Sequence, residues 1–217
     1  MFFKKFGKKK AETDDDDAPE ATPKNELLKP GQLSVLMNSS GRVNLQILES
    51  LAGSCSQTDF VQFLLHPVLA GSSIQAGELA LRRNLKNQEA NQTFIFQSDV
   101  NEEDTTALSE ALKHAIYPLI KEEGTHQAQN IFTVGRINGN DLIIPDIAIS
   151  KRHAILEIKQ GSFAIRDCDS TNGTSINGAR IGNKLQQIRD GDIISFARYE
   201  FTFLSPSSLY KRLTEDE

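Results

Sequence analysis

The spacing of apolar residues changes near residue 125, and this change divides the chain into two kinds of structure. Between residues 31 and 125 the apolar residues recur at helical spacing, three to five positions apart. After Thr125 they alternate with polar residues, with a period of two. The sequence therefore predicts a mainly helical region followed by a region of short β-strands.

Two helices are predicted in the first half of the helical region. The apolar face of the first is formed by Val43, Ile47, Leu48 and Leu51. The second has an apolar face formed by Phe60, Phe63 and Leu64. Thr58 is its predicted N-cap, and Pro67 ends it because proline cannot continue a helix.

A third helix is predicted from Asp104 to Lys121, with a kink or stop at Pro118. Between the second and third helices, the segment TFIF (93–96) fits either a short strand or a buried helical turn. A run of this length leaves both alternatives open. The pattern assigns no function to residues 31–125.

Short runs rich in β-branched and aromatic residues follow Thr125: NIFTVGR, DLIIP, HAILEIKQ, SFAIRD, DIISFA and YEFTFLS. Asn-Gly or Asp-Gly pairs at positions 138, 172, 177 and 190 mark the turns, and such pairs suit type I′ turns, which need positive φ at both central residues. This turn spacing is typical of an all-β sandwich with antiparallel, Greek-key strands. The closing segment SPSSLYKRLTEDE predicts one short helix.

The first 30 residues have a composition of their own. Five lysines among the first ten residues precede AETDDDDAPEATPKNE, which contains almost nothing apolar. Such a segment cannot bury enough surface to offset its ordering entropy. The predicted organisation is a disordered charged tail (1–30), a mainly helical region (31–125), a β-sandwich (126–206) and a C-terminal tail or short helix (207–217).

Composition argues against several classes of function. The net charge is −5 and the acids and bases are mixed, which argues against nucleic acid as a partner. No apolar run is long enough to span a membrane, and the N-terminus lacks a signal-peptide core, so we expect a cytoplasmic protein. Cys55 and Cys168 lie far apart without a CxxC, which predicts reduced thiols.

Signatures of catalysis and cofactor binding are missing from the sequence. GRINGN lacks the GK[ST] of a phosphate loop, and there is no GxSxG, HExxH or kinase signature. His66, His114 and His126 show no metal-ligand spacing. We therefore expect neither an enzyme nor a metal or cofactor site.

Five short motifs follow one another along the strand-rich region. They are GR (Gly135, Arg136), NDLIIPD (140–146), SKRHA (150–154), STNGT (170–174) and NG (Asn177, Gly178). With these pieces, residues from about Ile131 to Leu204 resemble a forkhead-associated (FHA) domain, a β-sandwich that recognises phosphothreonine. The helical region (31–125) is not part of this resemblance.

The resemblance implies a role for each residue of a phosphopeptide site. Arg136 and Ser150 are expected to bind the phosphate, and Thr171 to add a hydroxyl. Asn172 is expected to hold the peptide main chain. Lys151 stands where the family often has arginine, and it reaches phosphate as a point charge without the planar fork.

Other residues are expected to support the site or to read the peptide. Gly135 and Gly173 are interpreted as backbone requirements, His153 as a core histidine that supports its loop, and Asn177 as part of a turn. Asp146 is the one charged residue of the loop before Ser150 that is offered to peptide side chains.

The predicted function is a phosphothreonine-dependent protein–protein interaction adaptor in serine/threonine kinase signalling. Its expected partner is a threonine-phosphorylated protein, and a second expected ligand is its own tail phosphorylated at Thr13 or Thr22. The alternative is a phosphate-independent structural interaction protein whose helical region is the main interface.

Overall fold

The computed structural model describes residues 32–74, 102–121, 128 and 130–214. The predicted N-terminal tail, with Thr13 and Thr22, lies outside the described residues. So do the segment TFIF and His126.

The described α-helices are α1 (Leu45–Ser54), α2 (Gln57–Leu64), α3 (Glu102–Lys113) and α4 (Pro206–Thr214). Short 3-10 turns occupy Gln32–Leu36 and Ser72–Ile74. Three of the helices belong to the region predicted as mainly helical, and α4 is formed by the closing segment.

The helix boundaries differ from those predicted. Helix α1 is capped by the Asn44 side chain, which accepts a hydrogen bond from the Gln46 N–H at 2.8 Å. Val43 therefore lies before the helix, in a bridge to Ile116, and Ile47 is 41% exposed instead of inward. The buried face is formed by Leu45, Leu48 and Ala52.

Two further boundaries are corrected by local hydrogen bonding and pairing. The N-cap of α2 is Ser56 and not Thr58, because the Ser56 hydroxyl accepts from the Asp59 N–H at 3.2 Å. Helix α3 ends at Lys113 and not at Lys121, because the chain enters a strand at Ile116.

The described strands form a sandwich of two sheets, which confirms the predicted fold class. The strands are β1 (Val68–Gly71), β2 (Ile116–Pro118), β3 (Ile131–Gly135), β4 (Leu142–Ile143), β5 (Ala154–Lys159), β6 (Ser162–Asp167), β7 (Thr174–Ile176), β8 (Ala179–Ile181), β9 (Gln186–Ile188), β10 (Ile193–Phe196) and β11 (Tyr199–Leu204). One sheet has the order β2-β1-β11-β10-β7-β8 and the other β4-β3-β5-β6-β9. Among these strands the pairs are antiparallel except for the short parallel pair β3–β4.

Two strands from the helical region extend the first sheet. Strand β1 pairs with β11 from Val68 opposite Leu204 to Gly71 opposite Phe201, and β2 pairs with the other side of β1. The ion pair between Lys121 and Asp141, at 3.4 Å, also joins this region to the second sheet. The described part of residues 31–125 thus shares its hydrogen-bonded framework with the sandwich.

A second apolar cluster packs α1, α2 and α4 beside the sandwich core. The rings of Phe60 in α2 and Tyr210 in α4 lie 5.4 Å apart, and the Tyr210 hydroxyl donates to the Cys55 carbonyl at 3.1 Å. Leu204 at the end of β11 belongs to this cluster, whereas Phe201 and Phe203 pack in the sandwich core. Strand β11 therefore contributes to both cores.

One of the predicted turns has the backbone that was expected. Asn177 and Gly178 have φ of 50° and 79°, so both central residues are left-handed, as a type I′ turn requires. At the pairs beginning with Asn138, Asn172 and Asp190, only the glycine has positive φ, so those turns are of another type.

Other sequence-based expectations concern cysteines, metals and membranes. Cys55 and Cys168 are free thiols. Within residues 32–74, 102–121 and 130–214 there is no group of three His, Cys, Asp or Glu side chains placed to hold a metal ion. The described helices are too short or too polar to cross a bilayer.

Candidate functional site

Three loops meet at one end of the sandwich because of strand register. Val134 near the end of β3 lies opposite Ala154 at the start of β5. Ala154 in turn lies opposite Asp167 at the end of β6. The loops after β3, before β5 and after β6 are therefore neighbours, although more than thirty residues separate the first from the last.

Arg136 follows β3 directly and is held by its backbone. Its N–H donates to the Ser150 carbonyl at 3.0 Å, which joins the loop after β3 to the loop before β5. The side chain is half-buried, and its Nε is buried without a hydrogen-bond partner among the described residues. The loop after β3 is therefore tied to the segment that carries Ser150, next to the half-buried Arg136 side chain.

Ser150 and Thr171 are brought together from separate loops. The Ser150 hydroxyl oxygen accepts from the Thr171 N–H at 3.1 Å, and the two side-chain oxygens are 3.5 Å apart. Thr171 is exposed, and Ser150 is half-buried. The pair therefore presents two hydroxyls to solvent near the Arg136 backbone.

Asn172 links its loop to the segment that precedes Ser150. Its side-chain amide donates to the Ala148 carbonyl at 2.7 Å. The residue is otherwise exposed. This bond fixes the spacing between the loop after β6 and the loop before β5.

His153 is fully buried beneath these loops. Its Nδ1 accepts from the Ser150 N–H at 3.1 Å, so Nε2 carries the proton and donates to the Gly173 carbonyl at 3.1 Å. Burial lowers the pKa of His153, although the Gly173 carbonyl and the Asp167 carboxylate act in the opposite direction. A neutral imidazole can hold both loops at once, as its predicted supporting position requires.

The buried carboxylate of Asp167 organises the STNGT loop, and sequence reasoning missed it. It accepts from the Ser170 N–H at 2.8 Å, the Ser170 hydroxyl at 2.6 Å and the Thr174 hydroxyl at 2.7 Å. Burial acts to raise the pKa of Asp167, but these hydrogen bonds outweigh it and the pKa lies below its usual value. The Ser170 hydroxyl also accepts from the Gly173 N–H at 2.9 Å, which closes the loop.

Gly135 is required by close backbone approach. A Cβ at this position would overlap the Lys151 carbonyl oxygen and the Asn140 side chain. The Asn140 amide donates to the carbonyls of Ile137 at 2.7 Å and Lys151 at 2.9 Å. Asn140 was not predicted as a site residue; its place within the NDLIIPD piece was the available signal.

Two of the predicted site residues, Asn177 and Lys151, make no side-chain contact with Ser150 or Thr171 among the described residues. The Asn177 side chain bonds to the start of β10. Its amide nitrogen donates to an Asp192 carboxylate oxygen at 2.9 Å, and its side-chain oxygen accepts from the Ile193 N–H at 2.9 Å. It supports the β7–β8 turn and is not brought to Ser150. Lys151 is exposed, and its carbonyl is the part held in place.

The structure places Asp146 in the interior and not on the ligand surface. It is 2% exposed, and its carboxylate contacts Arg198 at 2.5 Å and accepts from the Tyr199 hydroxyl at 2.7 Å. It also accepts from the Ala148 N–H at 2.7 Å. The expectation that Asp146 reads peptide side chains is therefore wrong, because its acceptor capacity is used within the protein to shape the loop before Ser150.

The strand-rich part of the chain is similar to known proteins. Residues 132–197 match the family model of the FHA domain. The chain is similar to an ABC transporter ATP-binding/permease protein of Mycobacterium tuberculosis, with 40% identity over 70 residues that cover 32% of this chain and 8% of that protein. It is also similar to the oxoglutarate dehydrogenase inhibitor of Corynebacterium glutamicum, with 34% identity over 73 residues that cover 34% of this chain and 50% of the inhibitor. The chain thus spans half or less of these curated relatives.

Among solved structures, the chain is similar to one described as a structural and functional analysis of phosphothreonine-dependent FHA domain interactions. The identity is 25%, the match covers 38% of this chain and 88% of that chain, and the TM-score is 0.33. A FhaA FHA domain complexed with the intracellular domain of Rv3910 matches with 26% identity, 36% and 85% coverage, and a TM-score of 0.33.

Proposed function

We propose that this chain, whose residues 132–197 form an FHA domain, is a phosphothreonine-dependent adaptor that docks on a partner phosphorylated by a serine/threonine kinase. The observation that carries the proposal is the convergence of Arg136, Ser150 and Thr171 from three loops at one end of the sandwich. We infer an interaction module rather than an enzyme, acting in the cytoplasm.

In the proposed phosphate site, the Arg136 charge makes the largest contribution to binding, and the hydroxyl groups make smaller ones. The Arg136 side chain is half-buried and follows β3 directly, and in this proposal the accessible part of its guanidinium meets the phosphate oxygens through charge-assisted hydrogen bonds. The hydroxyls of Ser150 and Thr171, on the two adjoining loops, would add donors, and Lys151 would add a point charge. Asn172 holds the peptide main chain in this proposal.

Preorganisation supports this assignment. His153 and Asp167 lock the loops with buried hydrogen bonds, and Asn172 closes the gap to Ala148. Because the loops are ordered by the protein itself, little conformational entropy is left to lose when a peptide binds. The ligand would meet a site that is already formed.

A second candidate function follows from apolar side chains on the helical region. Val35, Ile47 and Leu65 are 81%, 41% and 53% exposed, and all three lie in residues 31–125. Such side chains fit a phosphate-independent structural interaction in which this region is the main interface. In that case the sandwich loops would contribute little to partner binding.

One experiment separates the two candidates. A phosphothreonine peptide library and its unphosphorylated twin are passed over the immobilised full chain, and the bound peptides are identified. Retention of the phosphorylated set alone supports the adaptor, and its loss in Arg136→Ala ties retention to the site. Equal retention of both sets contradicts the adaptor. An NMR titration with one retained peptide should then shift Arg136, Ser150 and Asn172.

A further inference from the structure

Arg180 lies beside the phosphate-site loop, although sequence spacing places it outside every predicted site. It belongs to β8, where it pairs with Ser175 of β7, and β7 begins at Thr174, the last residue of STNGT. A Cβ built on Gly173 would lie 2.6 Å from the guanidinium carbon of Arg180. The charged group therefore covers the backbone of Gly173, the residue after Asn172.

The position of Arg180 is fixed from both sides. The Gly173 carbonyl accepts from His153 Nε2 at 3.1 Å and from the Ala197 N–H at 3.0 Å, which holds the loop against the core. The β7–β8 ladder holds the backbone of Arg180 against the same loop. The backbone of Arg180 is thus held beside the loop that carries Asn172, and its guanidinium lies over Gly173.

Arg180 is available to a ligand. It is exposed, and no ion pair or side-chain hydrogen bond joins it to another residue in the part of the chain that the structure describes. Arg152 and Lys151, on the neighbouring loop, are also exposed and have no side-chain partner among the described residues. A guanidinium without an internal partner can meet a carboxylate or phosphate through two parallel hydrogen bonds.

Local charge at this end differs from that of the whole chain. The chain carries a net charge of −5, yet the loops at this end carry Arg136, Lys151 and Arg152, and β8 adds Arg180. The nearby carboxylates of Asp146 and Asp167 are 2% and 6% exposed and accept hydrogen bonds from the protein itself. Asp169 is the exposed acid of the same loop. A single phosphate dianion would leave this positive excess only partly neutralised.

We infer that Arg180 forms a second anion subsite, which selects phosphothreonine ligands that carry an additional anionic side chain close to the phosphothreonine. This inference rests on the proposed function and narrows it to acidic phosphopeptides. A carboxylate and a second phosphate share the recognising chemistry, because each offers paired oxygens to a guanidinium.

The test uses matched peptides and matched arginine variants of the full chain. One phosphothreonine peptide is prepared with Gln at each flanking position in turn, and again with Glu or phosphoserine at that position. Dissociation constants are measured by fluorescence anisotropy for the wild type, Arg180→Gln, Arg180→Lys and Arg189→Gln. Arg189 is an exposed arginine in the turn after β9, at the other end of the sandwich, so it controls for net charge.

For the wild type we expect about three- to tenfold tighter binding of the anionic peptide than of its Gln twin at one or more positions. Arg180→Gln should reduce this ratio to about one, while affinity for the Gln twin changes by less than about twofold. Arg180→Lys should restore part of the ratio, and Arg189→Gln should leave it unchanged. A gain with phosphoserine alone identifies the anion as a second phosphate.

Each contrary result has a distinct meaning. A wild type that binds phosphothreonine peptides without an anion preference, or a preference that survives in Arg180→Gln, overturns the inference and leaves the proposed function intact. A wild type that binds phosphorylated and unphosphorylated peptides equally contradicts the proposed function, and the subsite is then rejected with it. Thermal melting of each variant checks that the fold is kept.

Discussion

The Ser150 hydroxyl oxygen lies 3.1 Å from the Thr171 backbone nitrogen, whose N–H it accepts, and this bond joins loops that are 21 residues apart in the chain. The Thr171 hydroxyl lies 3.5 Å from the same oxygen. One serine hydroxyl therefore both spaces the loops and contributes to the proposed phosphate site.

Replacing Ser150 with alanine should weaken phosphopeptide binding more than it weakens the fold. The variant loses one hydroxyl donor to phosphate and the acceptor for Thr171, and we expect affinity to fall by about three- to tenfold. Anisotropy titration of a phosphothreonine peptide measures the loss. Ser162→Ala, at the exposed far end of β6, is the matched control. Equal affinities of the two variants would contradict this role of Ser150.

Arg136→Ala should have the largest effect on binding among the proposed site residues. Loss of charge-assisted hydrogen bonds to phosphate predicts an affinity loss of about tenfold or more. Because Nε has no partner among the described residues, the free energy of unfolding should change little. Arg136→Lys should recover only part of the affinity, since lysine lacks the planar fork. Isothermal titration of both variants measures this order, and equal affinity of Arg136→Ala and wild type would refute it.

The buried His153 should make the fold sensitive to mild acid. Burial lowers its pKa, so as pH falls below about 6.5 the unfolded chain takes up a proton that the folded protein resists. The free energy of unfolding should therefore decrease as pH drops from about 6.5 towards the folded pKa, and the Nδ1 acceptor of the Ser150 N–H is lost on protonation.

Urea denaturation at pH 7.5 and pH 5.5, without peptide, measures this dependence. Wild type should lose more stability between the two pH values than His153→Gln, which has no imidazole to titrate. Burial also lowers the pKa of His66, so His66→Gln is compared in parallel. This variant should still show the loss of unfolding free energy at pH 5.5 that is due to His153. An identical pH dependence in wild type and His153→Gln would show that His153 does not titrate in this way.

Replacing Asp146 should destabilise the protein more than replacing Arg198, the residue with which it forms an ion pair. Asp146→Ala leaves the buried Tyr199 hydroxyl and the Ala148 N–H without an acceptor, so we expect a loss of about 2 kcal/mol or more in the free energy of unfolding. The Arg198 side chain is 49% exposed, so Arg198→Ala should cost about 1 kcal/mol or less. Urea denaturation of the two variants tests the order, and a reversed order would contradict it.

Sequence pattern predicted the longer strands of the sandwich because polar and apolar residues alternate in their sequences. Along β11 a period of two was visible, and the Asn177-Gly178 pair has the predicted positive φ values. Strands β7, β8 and β9 have three residues each, which is too few to establish a period. Their flanking turns were recognised, but the strands between them were not.

Strands β1 and β2 were missed for a different reason. All four residues of β1 and all three of β2 are buried, so neither strand alternates between a polar and an apolar face. Strand β1 pairs with β11, and β2 pairs with β1. These are long-range contacts, which the local sequence pattern does not contain. The same applies to Arg180, whose nearness to Gly173 is set by the register of β7 and β8.

The sequence predicted which loop residues meet at one end of the sandwich, whereas the buried carboxylates that shape these loops were not predicted. Arg136, Ser150 and Thr171 stand in recognisable pieces and do converge. The buried roles of Asp146 and Asp167 depend on which side chains surround them after folding. A carboxylate in a loop has the same appearance in the sequence whether it faces solvent or the interior.

Strand β11 begins beside the Arg198–Asp146 pair and ends at Leu204, where the chain passes into α4 and its contacts with the first two helices. The loops and the helical cluster therefore lie towards opposite ends of one strand. A peptide held at the proposed site would therefore lie towards the end of β11 that is away from α1, α2 and α4.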